Sequence, residues 1–193
     1  MRWRSWLMFL PVALLAATAH AAPEYSIKAG YILLFTRYVE WPSTAFATPT
    51  APIVICVLGA DPFGSVLDQT MAGQQSQQRP LNVRRVSDAH DAQGCHVVFI
   101  SAQGNNQPTS DPPVSKQMSQ WLDVLADQPV LTITERLDAL DQGAMLSFVS
   151  EVEGGQARIR FEASLRPMHR AGLVARSQML VAARKVHRES PGI

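Results

Sequence analysis

Gly59 and Gly64 are the first residues whose spacing could support chemistry, because two glycines five residues apart after an apolar run resemble a phosphate-binding loop. Such a loop requires a lysine directly after its second glycine, where the ammonium group meets the phosphate. Ser65 stands at that position instead, and the carboxylate of Asp61 would repel a phosphate. We therefore predict that this segment is a turn between a strand and a helix.

The sequence also lacks the other common catalytic signatures. It contains neither the GxSxG turn that presents a nucleophilic serine nor the HExxH helix that binds zinc. The histidines do not stand at metal-ligand spacing on one element, their positions being His20, His90, His96, His169 and His187. The sequence therefore offers no catalytic constellation, and we predict no metal and no cofactor. A hydrolase with a dispersed site is the least favoured alternative.

Residues 1–21 have the organisation of a secretory signal peptide. Two arginines precede an apolar stretch of about a dozen residues, which is shorter than the ~20 residues of a membrane-spanning helix. The stretch ends in the small-x-small sequence AHA at 19–21, which is typical of a cleavage site. We predict that cleavage releases residues 22–193 as one domain outside the cytoplasm. An uncleaved membrane anchor is the alternative.

Cys56 and Cys95 are the only cysteines of the chain. Two cysteines do not complete the four-ligand set of a structural zinc site, and an even number outside the cytoplasm favours a disulfide. Cys56 falls in a predicted buried strand and Cys95 directly precedes another, so their sulfurs can meet if the strands are neighbours. Two buried free thiols remain the alternative.

Segments with strand and helix patterns alternate along residues 22–193, which is typical of an α/β fold. Continuous apolar runs predict buried strands, and apolar residues at helical spacing predict the helices between them. We predict strands at 53–58, 81–86, 96–101, 129–134, 145–149 and 156–163. We predict helices at 25–40, 62–71, 114–127, 135–142 and 165–187, the last with a break at Gly172. The result is a single-domain α/β sandwich, with a mixed sheet of about six strands and helices on both faces.

The charges of the chain divide into an acidic body and a basic end. Residues 22–155 carry 7 Lys and Arg against 14 Asp and Glu, whereas residues 156–193 carry 8 against 2. Either the two regions complement each other internally, or the basic end is a docking face. On the predicted C-terminal helix, apolar side chains beside basic ones suit a protein interface, and we assign partner binding to Val174, Val181, Lys185 and Arg188.

Four ordered segments resemble the YfiR family of periplasmic regulators. They are residues 28–42 (KAGYILLFTRYVEWP), 55–64 (ICVLGADPFG), 94–100 (GCHVVFI), and 160–165 (RFEASL) followed by 170–173 (RAGL). No single segment is chemically diagnostic, but their order along nearly all of residues 22–193 is specific for the family.

The resemblance implies a non-enzymatic repressor in the periplasm. The best-known members bind the periplasmic sensor domain of an inner-membrane diguanylate cyclase, YfiN, and keep cyclic di-GMP and biofilm formation low. An outer-membrane lipoprotein, YfiB, sequesters the repressor, and members can form homodimers. Cys56 and Cys95 match the central cysteine pair of the family, whereas the second pair of some members is missing. The alternative is a periplasmic sensor that binds a small molecule between Gly59 and Gly64.

Overall fold

The computed structural model describes residues 21–101 and 116–188. The strands are β1 Val39–Glu40, β2 Ile53–Leu58, β3 Gln75–Ser76, β4 Arg79–Val86, β5 Val97–Ile100, β6 Leu131–Thr134, β7 Leu146–Glu153, β8 Gln156–Ser164, β9 Val174–Ala175 and β10 Lys185–His187. The α-helices are α1 Ala21–Tyr38, α2 Ser65–Met71, α3 Lys116–Leu125, α4 Leu165–Arg170 and α5 Ser177–Ala182. Short 3₁₀ turns cover Ser43–Ala45, Ala89–Ala92 and Leu137–Ala139.

An eight-stranded mixed sheet organises these elements in the order β10-β8-β7-β6-β5-β2-β4-β3. Strands β4, β2, β5, β6 and β7 run parallel, whereas β8 is antiparallel to β7 and β3 is antiparallel to β4. The six predicted strands are the six central ones. The two additional strands, β3 and β10, lie at the edges and are only two and three residues long.

Helices cover both faces of the sheet, as predicted. On one face α1, α2, α4 and α5 contribute Phe35, Leu67, Met168 and Met179 to the core. On the other face α3 buries the inner side that its sequence predicts, through Met118, Trp121, Leu122 and Leu125. This confirms the α/β fold class. None of the helices in the described ranges is both long and apolar enough to span a bilayer. The predicted signal peptide lies, apart from Ala21, outside the described residues.

The C-terminal region differs most from its prediction. The helix expected over 165–187 is divided into α4, β9, α5 and β10. Gly172 ends the first part, because its φ of 72° lies in the left-handed region that glycine adopts without strain. The chain then pairs with two other strands, since β9 lies against β1 and β10 against β8. Helical spacing would place five apolar residues on one face, namely Ala175, Met179, Ala182, Ala183 and Val186. Of these five, Met179 alone is fully buried.

Smaller differences occur at three other elements. Helix α1 ends at Tyr38, before Pro42, because the next two residues pair with β9. Asp61 accepts hydrogen bonds from the amides of Phe63 and Gly64, at 2.8 and 3.3 Å, so α2 begins only at Ser65. The helix expected over 135–142 is a single 3₁₀ turn.

Candidate functional site

The two cysteines form a disulfide inside the core. Cys56 lies on β2, Cys95 lies two residues before β5, and their Cα atoms are 5.9 Å apart. Both residues are buried on the face that α3 covers. The bond ties two neighbouring strands of the sheet together, as the sequence predicted. Its burial makes it a structural feature rather than a reactive site.

The turn between Gly59 and Gly64 is covered by aromatic side chains. It lies at the carboxyl end of β2, where the chain moves first to one neighbouring strand and later to the other, which is the usual place for a ligand crevice. Here the ring of Trp121 lies 3.5 Å from the position that a Cβ atom on Gly59 would occupy. On the opposite face Phe63 packs edge-on against Tyr25 and Phe99, with ring centroids 5.2 and 4.8 Å apart. These contacts cover the turn on both faces of the sheet, and binding of a small molecule there stays a prediction.

The predicted partner-binding residues lie on several elements rather than on one helix. Val174 belongs to β9 and is 54% exposed, and Val181 belongs to α5 and is 85% exposed. Lys185 begins β10, and Arg188 follows it directly. All four side chains are exposed, so the surface is accessible. Their role in partner binding stays a prediction.

Arg188 lines a basic cleft at the C-terminal end of the described chain. The cleft has a volume of about 900 Å³, and its walls come from α3, from residues 140–143, from α4 and from the end of β10. Arg166, Arg170 and Arg188 line it together with His187, against the acidic residues Asp123 and Asp141. Periodicity predicted a helix up to residue 187, directly before Arg188, whereas pairing of β10 with β8 brings Arg188 beside the arginines of α4.

A buried carboxylate holds the wall of this cleft in place. Glu162 alternates along β8 with the apolar residues Ile159 and Phe161, a pattern that predicts a solvated face, but it is only 5% exposed. It accepts hydrogen bonds from Nη1 of Arg184 at 2.9 Å and from Nε2 of His187 at 2.7 Å. The prediction was wrong because β10 and its flanking arginine cover this part of β8. The basic side chains of the C-terminal segment thus complement the acidic residue internally as well as lining a surface.

A second cleft of about 880 Å³ lies beside β7 and contains a buried lysine. Lys28 is only 4% exposed, and its ammonium group donates to Glu24 and, at 2.5 Å, to Glu135. The hydroxyl of Tyr25 donates to Glu135 at 3.4 Å, and burial, followed by the charge of Glu135, raises the pKa of that hydroxyl. Sequence analysis missed this cluster, because a Glu24–Lys28 pair at helical spacing is ordinary on an exposed surface.

Neither cleft contains a metal-binding or nucleophilic constellation. Within residues 21–101 and 116–188, no three His, Cys, Asp or Glu side chains are grouped so that they could hold a metal ion. In the second cleft the acidic and basic groups instead pair with one another, as Lys28 does with Glu135 and Arg136 with Asp138. Such an arrangement suits recognition of a charged surface better than bond-making chemistry.

A model of the YfiR/HmsC-like family matches residues 25–184. The chain belongs to this family. The resemblance of the four sequence segments to the family is therefore confirmed. The match extends from α1 to Arg184, the residue directly before β10. A search of curated proteins finds no match. Membership of the YfiR/HmsC-like family points to a periplasmic regulator in cyclic di-GMP signalling, and this family is known for regulators rather than enzymes.

Proposed function

We propose that this protein represses an inner-membrane diguanylate cyclase by binding the cyclase's periplasmic sensor domain, and so keeps cyclic di-GMP low. The observation that carries the proposal is the family match, which covers residues 25–184. A repressor of this kind needs a surface that binds one state of its partner more tightly than the other, because only differential affinity shifts an equilibrium. It needs no catalytic residues.

The basic cleft and the two exposed valines, Val174 and Val181, supply suitable binding surfaces. Arg166, Arg170 and Arg188 give the cleft more cationic than anionic side chains, so it complements an acidic partner. Val181 is 85% exposed and provides an apolar contact of the kind found at interface centres. We propose that the same surface also meets an outer-membrane lipoprotein that competes with the cyclase, and that the protein can act as a homodimer.

The proposal is tested by measuring cyclic di-GMP in cells that lack this gene and in cells that carry a plasmid copy. We expect the level to rise in the deletion strain and to return to its original value with the wild-type plasmid. The double variant Val181→Asp/Arg188→Glu should fail to restore it, because the changes place acidic groups opposite an acidic partner. Arg84→Glu is the matched control, since Arg84 is exposed on β4 near the opposite edge of the sheet.

Immunoblots of periplasmic extracts must show equal amounts of each variant. An unchanged cyclic di-GMP level in the deletion strain would contradict the repressor function and favour a sensor of small molecules. Full restoration of the low cyclic di-GMP level by the double variant would support the repressor function but show that the binding surface lies elsewhere.

A further inference from the structure

Strand β7 extends well beyond the strand beside it. The last residue of β6, Thr134, is paired with Ser147, whereas β7 continues to Glu153. From Phe148 onward, no described strand lies on this side of β7. The segment 148–153 is therefore joined to the sheet only through β8, which leaves it with a free edge.

The hydrogen-bond pattern shows which backbone groups this edge presents. In the β7–β8 hairpin the amide of Ser164 donates to the carbonyl of Met145 at 2.8 Å. The backbone groups of this pair therefore point inward, toward the other strand of the hairpin. Inward and outward pairs alternate in an antiparallel ladder, and the backbone groups of Phe148, Ser150 and Val152 must therefore point outward. The same alternation directs the carbonyl of Phe161 away from β7, where it accepts from the amide of Arg184.

The second cleft lies along this free edge. Its walls are the start of α1, residues 135–138 and the β7 residues Phe148, Val149 and Ser150. Among the charged lining residues, the carboxylates of Glu24, Glu135 and Asp138 outnumber the cations of Lys28 and Arg136. The groove thus combines a row of outward amides and carbonyls with an excess of negative charge.

We propose that the free edge of β7 binds an extended segment of a partner protein that carries a basic side chain. Outward backbone groups on every second residue match the spacing of another extended backbone, which would add to the sheet as a further strand. The excess of carboxylates favours a lysine or arginine on the added segment. This inference is independent of the repressor function and concerns a different surface from the basic cleft.

A second copy of this chain fits the edge less well. Antiparallel self-pairing about Ser150 would place Val149 opposite Glu151 of the other copy. Glu24 accepts a hydrogen bond from the hydroxyl of Ser150 at 3.4 Å, so the pairing would also bring two Glu24 carboxylates together. Like charges that face each other across a strand pair are destabilising.

The test uses a fluorescent peptide of alternating valine and threonine with one central lysine, titrated into the purified protein and followed by fluorescence polarisation. Ser150→Pro removes one outward amide, and we expect about tenfold weaker binding. Ser150→Ala keeps that amide and should bind like the wild type. Ala157→Pro is the matched control, because Ala157 is paired with Val152 and its amide points outward on the other edge of the hairpin.

Two further measurements use the wild-type protein, so they test the proposal without a variant that could fail to fold. The peptide methylated on alternate nitrogens should bind the wild-type protein about tenfold more weakly than the unmodified peptide. Hydrogen exchange should show protection of the Ser150 and Val152 amides when the peptide is bound. Equal binding of the methylated peptide, protection elsewhere in the chain, or no binding at millimolar concentration would overturn the proposal.

Discussion

At the scale of single residues, His96 has the most constrained environment outside the clefts. Its Nδ1 accepts a hydrogen bond from the amide of Val54 at 3.1 Å, so the ring proton is on Nε2, which donates to the carbonyl of Ala45 at 3.0 Å. Phe46 stacks on the ring with centroids 4.5 Å apart, and Arg79 lies over Phe46. Burial, aided by the charge of Arg79, lowers the pKa of His96.

The lowered pKa predicts a pH dependence of stability. Below about pH 6.5 the unfolded chain binds a proton at this histidine, whereas the folded protein does not until the pH falls below its lower pKa. The contribution of His96 to the free energy of unfolding is therefore complete above about pH 6.5. It is lost as the pH falls from there through the lower pKa of the folded protein. We expect urea unfolding of His96→Gln to show a weaker pH dependence between about pH 7 and pH 5 than the wild type.

The matched control is His169→Gln, because His169 is exposed on α4. This variant should retain the wild-type slope of stability against pH. If His96→Gln and the wild type lose stability in parallel over this window, the buried imidazole does not couple folding to pH.

At the scale of elements, the attachment of β10 to the sheet depends on Glu162. This strand is only three residues long, and two basic side chains next to it converge on the buried carboxylate. We expect Glu162→Gln to loosen β10 by about 1–3 kcal/mol, because a neutral amide weakens both charge-assisted hydrogen bonds. Hydrogen exchange measured by NMR on the amides of β10 checks this, since exchange should accelerate there while β5 remains protected.

Glu153→Gln is the appropriate comparison, because Glu153 pairs with Arg158 on the exposed hairpin and surface pairs contribute little to stability. It should leave exchange in β10 unchanged. Exchange rates in β10 that are equal for the wild type and Glu162→Gln would show that backbone pairing alone holds the strand.

Among the elements of the sheet, the central strands were predictable from sequence and the edge strand β10 was not. Each central strand is a long apolar or alternating run, and its partners follow it at regular intervals, so local pattern determines it. The edge strand β10 contains Lys185 and His187 and owes its form to pairing with β8. Helical spacing of apolar residues over 175–186 predicts one continuous helix, but only Ser177–Ala182 form one, because strand pairing of the flanking segments overrides local preference.

The functional surface was predictable only in part for a related reason. Arg188 is charged and is therefore expected at the surface, but the approach of Arg166 and Arg170 to Arg188 requires the chain to turn back onto the sheet. Similarly, Lys28 is buried because Glu135, 107 residues away in sequence, lies against it. Contacts between distant segments leave no signal in a local pattern.

At the scale of the whole molecule, the disulfide is the covalent link that limits unfolding. Cys56 and Cys95 are 39 residues apart in sequence, and on the loop-entropy model closing a loop of this length stabilises a protein by roughly 4 kcal/mol. We expect the variant Cys56→Ala/Cys95→Ala to lose stability of this order in urea unfolding, while its circular dichroism spectrum remains that of the native fold.

A thiol assay gives an independent measure of the bond. The wild-type protein should show no reactive thiol in denaturant until a reductant is added. Reaction of two thiols per chain under non-reducing denaturing conditions would show that the cysteines are free, and the stability of the double variant would then need another explanation.

The ends of the domain depend on each other across almost its whole length. Tyr31 of α1 donates to the carbonyl of Ile159, 128 residues later, and Glu40 pairs with Arg176, 136 residues later. Helix α1 emerges first, whereas Phe148 and Phe161, which pack against its Tyr31 and Phe35, emerge only with the last quarter of the chain. Contacts between such distant segments slow folding and leave apolar surface exposed to aggregation. We therefore expect the nascent chain to depend on a chaperone that holds α1 until synthesis is nearly complete.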